Sequence, residues 1–170
     1  MIVVETLLRE IFSQIPDIDY AGKQWPVKYH WGGQDDLNLY MQTEAGNQTP
    51  LIWLVNDKVS FKSSEADSRI KIIIAKSSEN KGERNPIVWD SEFVQVLNPL
   101  LEKVIKCFQQ SGITTIVNQS YDVYREANYS EYAKGEKGVT KTIDHWNVII
   151  FESNINFNSI TSCVQTINFN

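Results

Sequence analysis

The chain has 170 residues, 42% apolar and 22% charged, the composition of one folded domain and not of a disordered one. Its net charge of −5, from 16 basic and 21 acidic side chains, argues against a tight grip on nucleic acid. At this length roughly 70% of the unfolded surface can be buried, so one ordinary core suffices.

Residues 2 to 15 read as an amphipathic helix. Val4, Leu7, Leu8, Ile11, Phe12 and Ile15 recur at helical spacing, and Pro16 ends the run. Glu5, Arg9 and Glu10 interrupt the segment, so it does not read as a signal peptide. No apolar window reaches the length of about 18 residues that a membrane-crossing helix needs. "VKYHW", residues 27 to 31, alternates Val27, Tyr29 and Trp31 with Lys28 and His30, the pattern of a half-buried strand. Residues 32 to 48 are polar and are read as a turn-rich loop, with Asp35 and Asp36 as turn formers.

Two dense apolar strands follow, "LIWLV" at 51 to 55 and "RIKIIIA" at 69 to 75. Ile70, Ile72 and Ile74 share one face. The segment between the two is too short for a crossover helix, so they are expected to pair antiparallel. It holds a turn or a bulged extension of a strand. Residues 76 to 88 lack periodicity and read as a mobile or binding loop. A long helix is expected from a cap at Asp90 or Ser91 to Ser111-Gly112, with Phe93, Leu97, Leu100, Leu101, Val104 and Phe108 as its buried stripe. Pro99 kinks this helix or restarts it.

"ITTIV" and "YDVYR", residues 113 to 117 and 121 to 125, read as two strands, and 126 to 142 as a second polar loop. The strongest strand signal comes last, at 143 to 157. Trp146, Val148 and Ile150 set one phase; Phe151, Ile155 and Phe157 set another, which suggests a bulge. The grouping of helices and strands predicts an α+β fold: a mainly antiparallel sheet covered on one face by the N-terminal helix and the long central helix. Residues 1 to 157 form the domain, and 158 to 170 form a tail that is frayed or docked on a neighbour. Trp53, Leu97, Leu101 and Trp146 are the expected core anchors, with Trp146 placed under the central helix near Leu97 and Leu101.

Chemistry is not announced. His30 and His145 sit in strands without a second ligand at i+2 or i+4, so neither makes a metal site. Cys107 and Cys163 have no partners at metal or disulfide-framework spacing, and Cys107 reads as a small core residue in a reducing compartment. Asp35 and Asp36 are adjacent, and adjacent side chains of an extended segment point apart, so they make no catalytic carboxylate pair. No nucleophile elbow, phosphate loop or zinc-protease motif is present in the sequence. No catalytic residue, cofactor or metal is expected, and the chain is read as a non-enzyme. Tyr121, Tyr124, Tyr129 and Tyr132, near several lysines, are better read as a protein-contact rim than as a base-stacking platform.

The order and spacing of particular residues resemble a family. Pro50, Ile52, Trp53, Glu83, Arg84, Leu97, Pro99, Leu100, Ser111, Asp144 and the strand 146 to 151 follow the pattern of the tail terminator (tail-completion) proteins of long-tailed phages and prophages, especially those of Bacteroidetes hosts. The resemblance covers about residues 1 to 157. The loop 126 to 142, "YSEYAKGEKG" at its centre, departs from it.

The resemblance implies a homo-oligomeric ring, typically a hexamer, that caps the tail tube and joins it to the head connector or neck protein. It implies a place in the virion tail or neck, and in the host cytoplasm during assembly. DNA would pass through without specific binding, and no membrane is involved. Glu83, Arg84, Tyr129, Tyr132, Lys134 and Lys137 are the candidate interface residues, on loops that meet neighbours. A head-side neck or head-completion protein of the same virion and a bacterial immunity or inhibitor protein are the alternatives.

Overall fold

The computed structural model describes residues 4–43, 49–55, 59–62, 65–78, 85–127, 129, 145–158 and 164–169. The fold is α+β with a mainly antiparallel sheet. Helix α1 (Val4–Phe12) buries Val4, Leu8, Ile11 and Phe12, the stripe that the apolar spacing marks. A small hairpin follows, β1 (Ile18–Tyr20) and β2 (Lys23–Trp25), joined through Ala21 and Gly22. Both turn residues have positive φ, 53° and 73°, as a tight hairpin turn of matching twist demands. Ala in the first of these positions hides the turn from a sequence reading, which looks there for Asn or Asp.

The main sheet runs β3-β4-β6-β8-β7, with β5 paired to β6. Its strands are β3 (Lys28–Gly32), β4 (Leu51–Val55), β5 (Val59–Lys62), β6 (Glu65–Ser78), β7 (Thr114–Glu126) and β8 (His145–Asn158). β4 and β6 pair antiparallel, and β5 makes the extension anticipated between them. β3 and β4, by contrast, are parallel.

A parallel pair needs a crossover, and here it is helix α2 (Gln34–Thr43). The expected loop at 32 to 48 is therefore corrected. Asp35 and Asp36 sit in the first turn of this helix, where acidic groups suit its dipole. The Asp36 carboxylate accepts the Gly33 N–H at 2.8 Å, half of a capping box, and Leu37 N–H donates to the Gly33 carbonyl at 3.2 Å. Gly32 has no room for a side chain: a Cβ there would lie 2.8 Å from Asp36 Oδ2 and 3.0 Å from the Trp53 ring. The helix was hidden because its apolar face is narrow. It buries Leu37 and Met41 and leaves Leu39 exposed.

The central helix begins earlier than Asp90 or Ser91. It comprises α3 (Asn85–Val88), a π-helix (Trp89–Leu97) and α4 (Asn98–Gln110). Ser91 does not cap it; its hydroxyl donates back to the Ile87 carbonyl at 2.8 Å. Pro99 stands in the first turn of α4, directly after the π-helix, where it has no N–H to donate. Just before it, the Asn98 N–H reaches the Phe93 carbonyl, five residues back, so the wide winding ends where the proline restarts the narrow one. The loop expected at 76 to 88 is also corrected at both ends: β6 runs to Ser78, and α3 starts at Asn85.

β7 is one strand, not two. Ile116 pairs with Ile155 and Tyr121 with Ser153, so five residues of β7 span two of β8. Asn118 and Gln119 take the surplus in left-handed conformations, φ 55° and 52°. β8 itself has no bulge on its β6 side, where fourteen successive pairs stay in register. The shift of phase read from its sequence has another cause. Ile149, Phe151, Ile155 and Phe157 face one core throughout, and Trp146 and Val148 face a second core on the opposite side. The period of two never breaks; the cover on the second face stops.

The sheet is accordingly covered on both faces, not one. On the main face α1, the π-helix and α4 pack over Ile52, Leu54, Ile70, Ile72, Ile74 and the odd residues of β8. On the other, α2 covers Leu51, Trp53, Ile73, Ala75, Trp146 and Val148. Within 164–169 the tail lies against its own chain. Its Gln165 N–H donates to Ser111 O at 2.9 Å, Ile167 N–H donates to Gln14 Oε1 at 2.9 Å, and Ile167 is buried against the main core of its own chain.

Candidate functional site

Two features stand out from the scaffold. The first is a charged cluster inside the main face. Lys76, at the end of β6, lies in phase with Ile70, Ile72 and Ile74 and is 1% exposed. Asn147 is its direct cross-strand partner on β8 and is 0% exposed. Glu92, on the π-helix above, is also 0% exposed. One carboxylate oxygen of Glu92 accepts the Ser78 hydroxyl at 2.8 Å and lies 3.9 Å from Lys76 Nζ. The other accepts Asn147 Nδ2. Lys76 Nζ also donates to the Ser77 carbonyl at 3.1 Å and stands 4.9 Å from the centre of the Tyr20 ring, which the small hairpin supplies.

Burying an ion pair is costly unless close geometry and further hydrogen bonds offset the lost hydration. Here a lysine, an amide and a hydroxyl converge on one carboxylate, and the Tyr20 ring lies beside the lysine. The sequence reading missed this cluster because its members are far apart along the chain. A signal existed: each polar residue falls in phase with an apolar row. Lys76 follows Ile72 and Ile74, Asn147 precedes Ile149 and Phe151, and Glu92 lies between Val88 and Val96 at helical spacing.

The second feature is uncovered surface. β7 is an edge strand, paired with β8 on one side and with no strand on the other among the described residues. From Ser120 to Glu126 all but Val123 are exposed, on both faces. Tyr124 is 57% exposed and Tyr121 43%. Arg125 Nε donates to Asn98 Oδ1 at 3.1 Å, which ties this edge to the start of α4. On the helical layer Ile87 of α3 and Trp89 and Val94 of the π-helix are also exposed.

The expected interface residues are divided. Tyr129 is not on a rim: it is 5% exposed in the second core, and its N–H donates to the Trp146 carbonyl at 2.7 Å. Glu83, Arg84, Tyr132, Lys134 and Lys137 lie outside the described residues. Leu97 and Leu101 are buried in the main core. Trp53 and Trp146 are buried in the second core, so Trp146 does not lie under the central helix beside Leu97 and Leu101. The even-numbered face of β8 points it toward α2. His30, taken as a polar-face histidine, is half-buried with its ring 4.9 Å from that of Tyr40. Among the described residues no three His, Cys, Asp or Glu side chains gather as metal ligands. No described helix is long and apolar enough to cross a membrane. No family model, curated protein or solved structure matches the chain.

Proposed function

We propose that this chain is a structural subunit that assembles with copies of itself into a closed ring, a tail terminator that caps a phage tail tube and meets the head connector. The observation that supports self-assembly is the pair of unlike uncovered surfaces, the β7 edge and the exposed apolar side chains Ile87, Trp89 and Val94 of the helical layer. A cyclic ring uses two different patches per subunit, one for each neighbour. The place at the tail end rests on the succession of residues that resembles the terminator family. A net charge of −5 suits a ring whose bore lets DNA slide past.

The test is Tyr124→Asp, measured beside the wild-type chain. Tyr124 is exposed, so the substitution should change folding stability by no more than about 0.5 kcal/mol. It places a charge in the middle of the proposed contact. Light scattering at high protein concentration, with electron micrographs of tail ends, should show rings of about six copies for the wild type and none for the variant. A wild-type chain that is monomeric at high concentration and absent from tail ends overturns the reading.

A further inference from the structure

The buried cluster has the composition and placement of a reaction centre whose substrate is the protein itself. We propose that Lys76 and Asn147 become joined by an intramolecular isopeptide bond, with Glu92 as the proton carrier. An amine and a carboxamide lie directly opposite each other on neighbouring antiparallel strands, on the same face of the sheet. In such pairs the Cβ atoms are about 4.5–5.5 Å apart. Both groups flank a single carboxylate, the amine at 3.9 Å from one oxygen and the amide nitrogen hydrogen-bonded to the other. All three side chains are almost completely withdrawn from water.

Each part of the cluster has a role in this step. The Lys76 ammonium passes one proton to the Glu92 carboxylate and becomes a nucleophilic amine. Its lone pair attacks Cγ of Asn147, and the carbonyl electrons move to the oxygen. Glu92 then protonates Nδ2, the atom it already touches, and takes a proton from Nζ. The carbonyl re-forms, the Cγ–Nδ2 bond breaks and ammonia leaves, taking up the proton that Glu92 holds. One C–N bond replaces another, no electrons are gained or lost, and no outside reagent is needed.

The same carboxylate serves as base and as acid because it lies between the two nitrogens. Ser78 fixes it by a 2.8 Å hydrogen bond. The Tyr20 ring lies over the amine, and burial keeps water from competing for the amide carbon. Holding both reactants on paired strands supplies the orientation that an uncatalysed amine–amide exchange lacks. The product would tie β6 to β8 at the end of the sheet where the two-sided cover lies.

Mass spectrometry of the denatured wild-type chain tests this directly. The expected mass is about 17 Da below that of the sequence, the loss of one ammonia. A tryptic digest should contain the Lys76 and Asn147 peptides as one branched species. Glu92→Gln and Lys76→Met should both restore the full mass. A folded wild-type chain of full mass overturns the proposal and leaves the cluster a plain buried ion pair. So does the same mass loss with the two peptides separate, since an asparagine that cyclises on its own backbone also loses ammonia. Because the wild-type chain alone decides between these outcomes, a variant that fails to fold does not obscure the result.

Discussion

The two faces of the sheet are built from the same strands yet differ in kind. The main face is aliphatic and phenylalanine-rich, lies under α1, the π-helix and α4, and extends along the odd residues of β8 to Phe157. The second face is aromatic, with Trp53, Trp146 and Tyr129 gathered under α2 and the partly buried Tyr40 beside them. Among the described residues it covers only one end of the sheet. Beyond it the even residues of β8 turn polar: Glu152 is paired with Arg69 at 2.9 Å and approached by Lys71 at 3.8 Å. A strand's sequence therefore records where its cover stops as well as which way it faces. Among the described residues the remainder of the second face has no helix over it, and it adjoins the edge of β7, where a partner is proposed to sit.

This contrast separates what was legible in the sequence from what was not. Main-face elements were legible because long rows of apolar residues repeat at fixed spacing, as in α1, in Ile70, Ile72 and Ile74, and in the stripe from Phe93 to Phe108. The second face was not. Its helix, α2, buries only Leu37 and Met41 fully, and its opening "GGQDD" has the composition of a turn. Without α2, the phase that carries Trp146 had no cover of its own and was placed under the central helix, and Tyr129 looked like a rim residue. The buried cluster was illegible for another reason. Lys76, Glu92 and Asn147 each stand in phase with an apolar row, and their partners are distant in the chain.

The largest expected effect lies on the main face. Phe151 is fully buried, its ring stacked 5.9 Å from Phe108 and 5.4 Å from Tyr121. Phe151→Ala should cost about 3–5 kcal/mol, a large part of the roughly 5–15 kcal/mol that holds a domain together. Urea unfolding should show one destabilised transition for the whole chain. A cost below about 1 kcal/mol would mean that this face is not the principal core.

Trp146→Ala tests the other side. The side chain is 3% exposed, packed in the second core with α2 and Tyr129, and α2 can settle toward the space left. The expected cost is about 3 kcal/mol, at the low end for a large aromatic. Hydrogen exchange should quicken in α2 while α4 keeps its protection. Equal loss of protection in α4 would show that the two faces unfold as one unit and would remove the distinction between them.

The smallest effect at neutral pH, and one confined to the main face, concerns alkaline conditions. Burial pushes the Cys107 thiol from its ordinary 9.0 up to about 12, with Lys103 pulling slightly the other way. Tyr29, packed against the same core, is raised as well, first by burial and then by Glu5, with Arg9 opposing. A thiol whose folded pKa is raised resists ionisation in the native state, while the unfolded chain ionises freely. Its contribution to stability is fully present below pH 9.0 and is lost as the pH rises toward about 12. Urea midpoints should therefore be flat near neutrality and fall above pH 9.0. Cys107→Ala creates only a small cavity and removes one of the two groups, so its midpoint should fall less steeply over the same range. An unchanged slope in the variant would mean that the thiol ionises as readily in the folded chain as in the unfolded one. Cys107 would then not be sealed beneath α4, and the closed character of the main face, on which the comparison with the second face depends, would fail at that point.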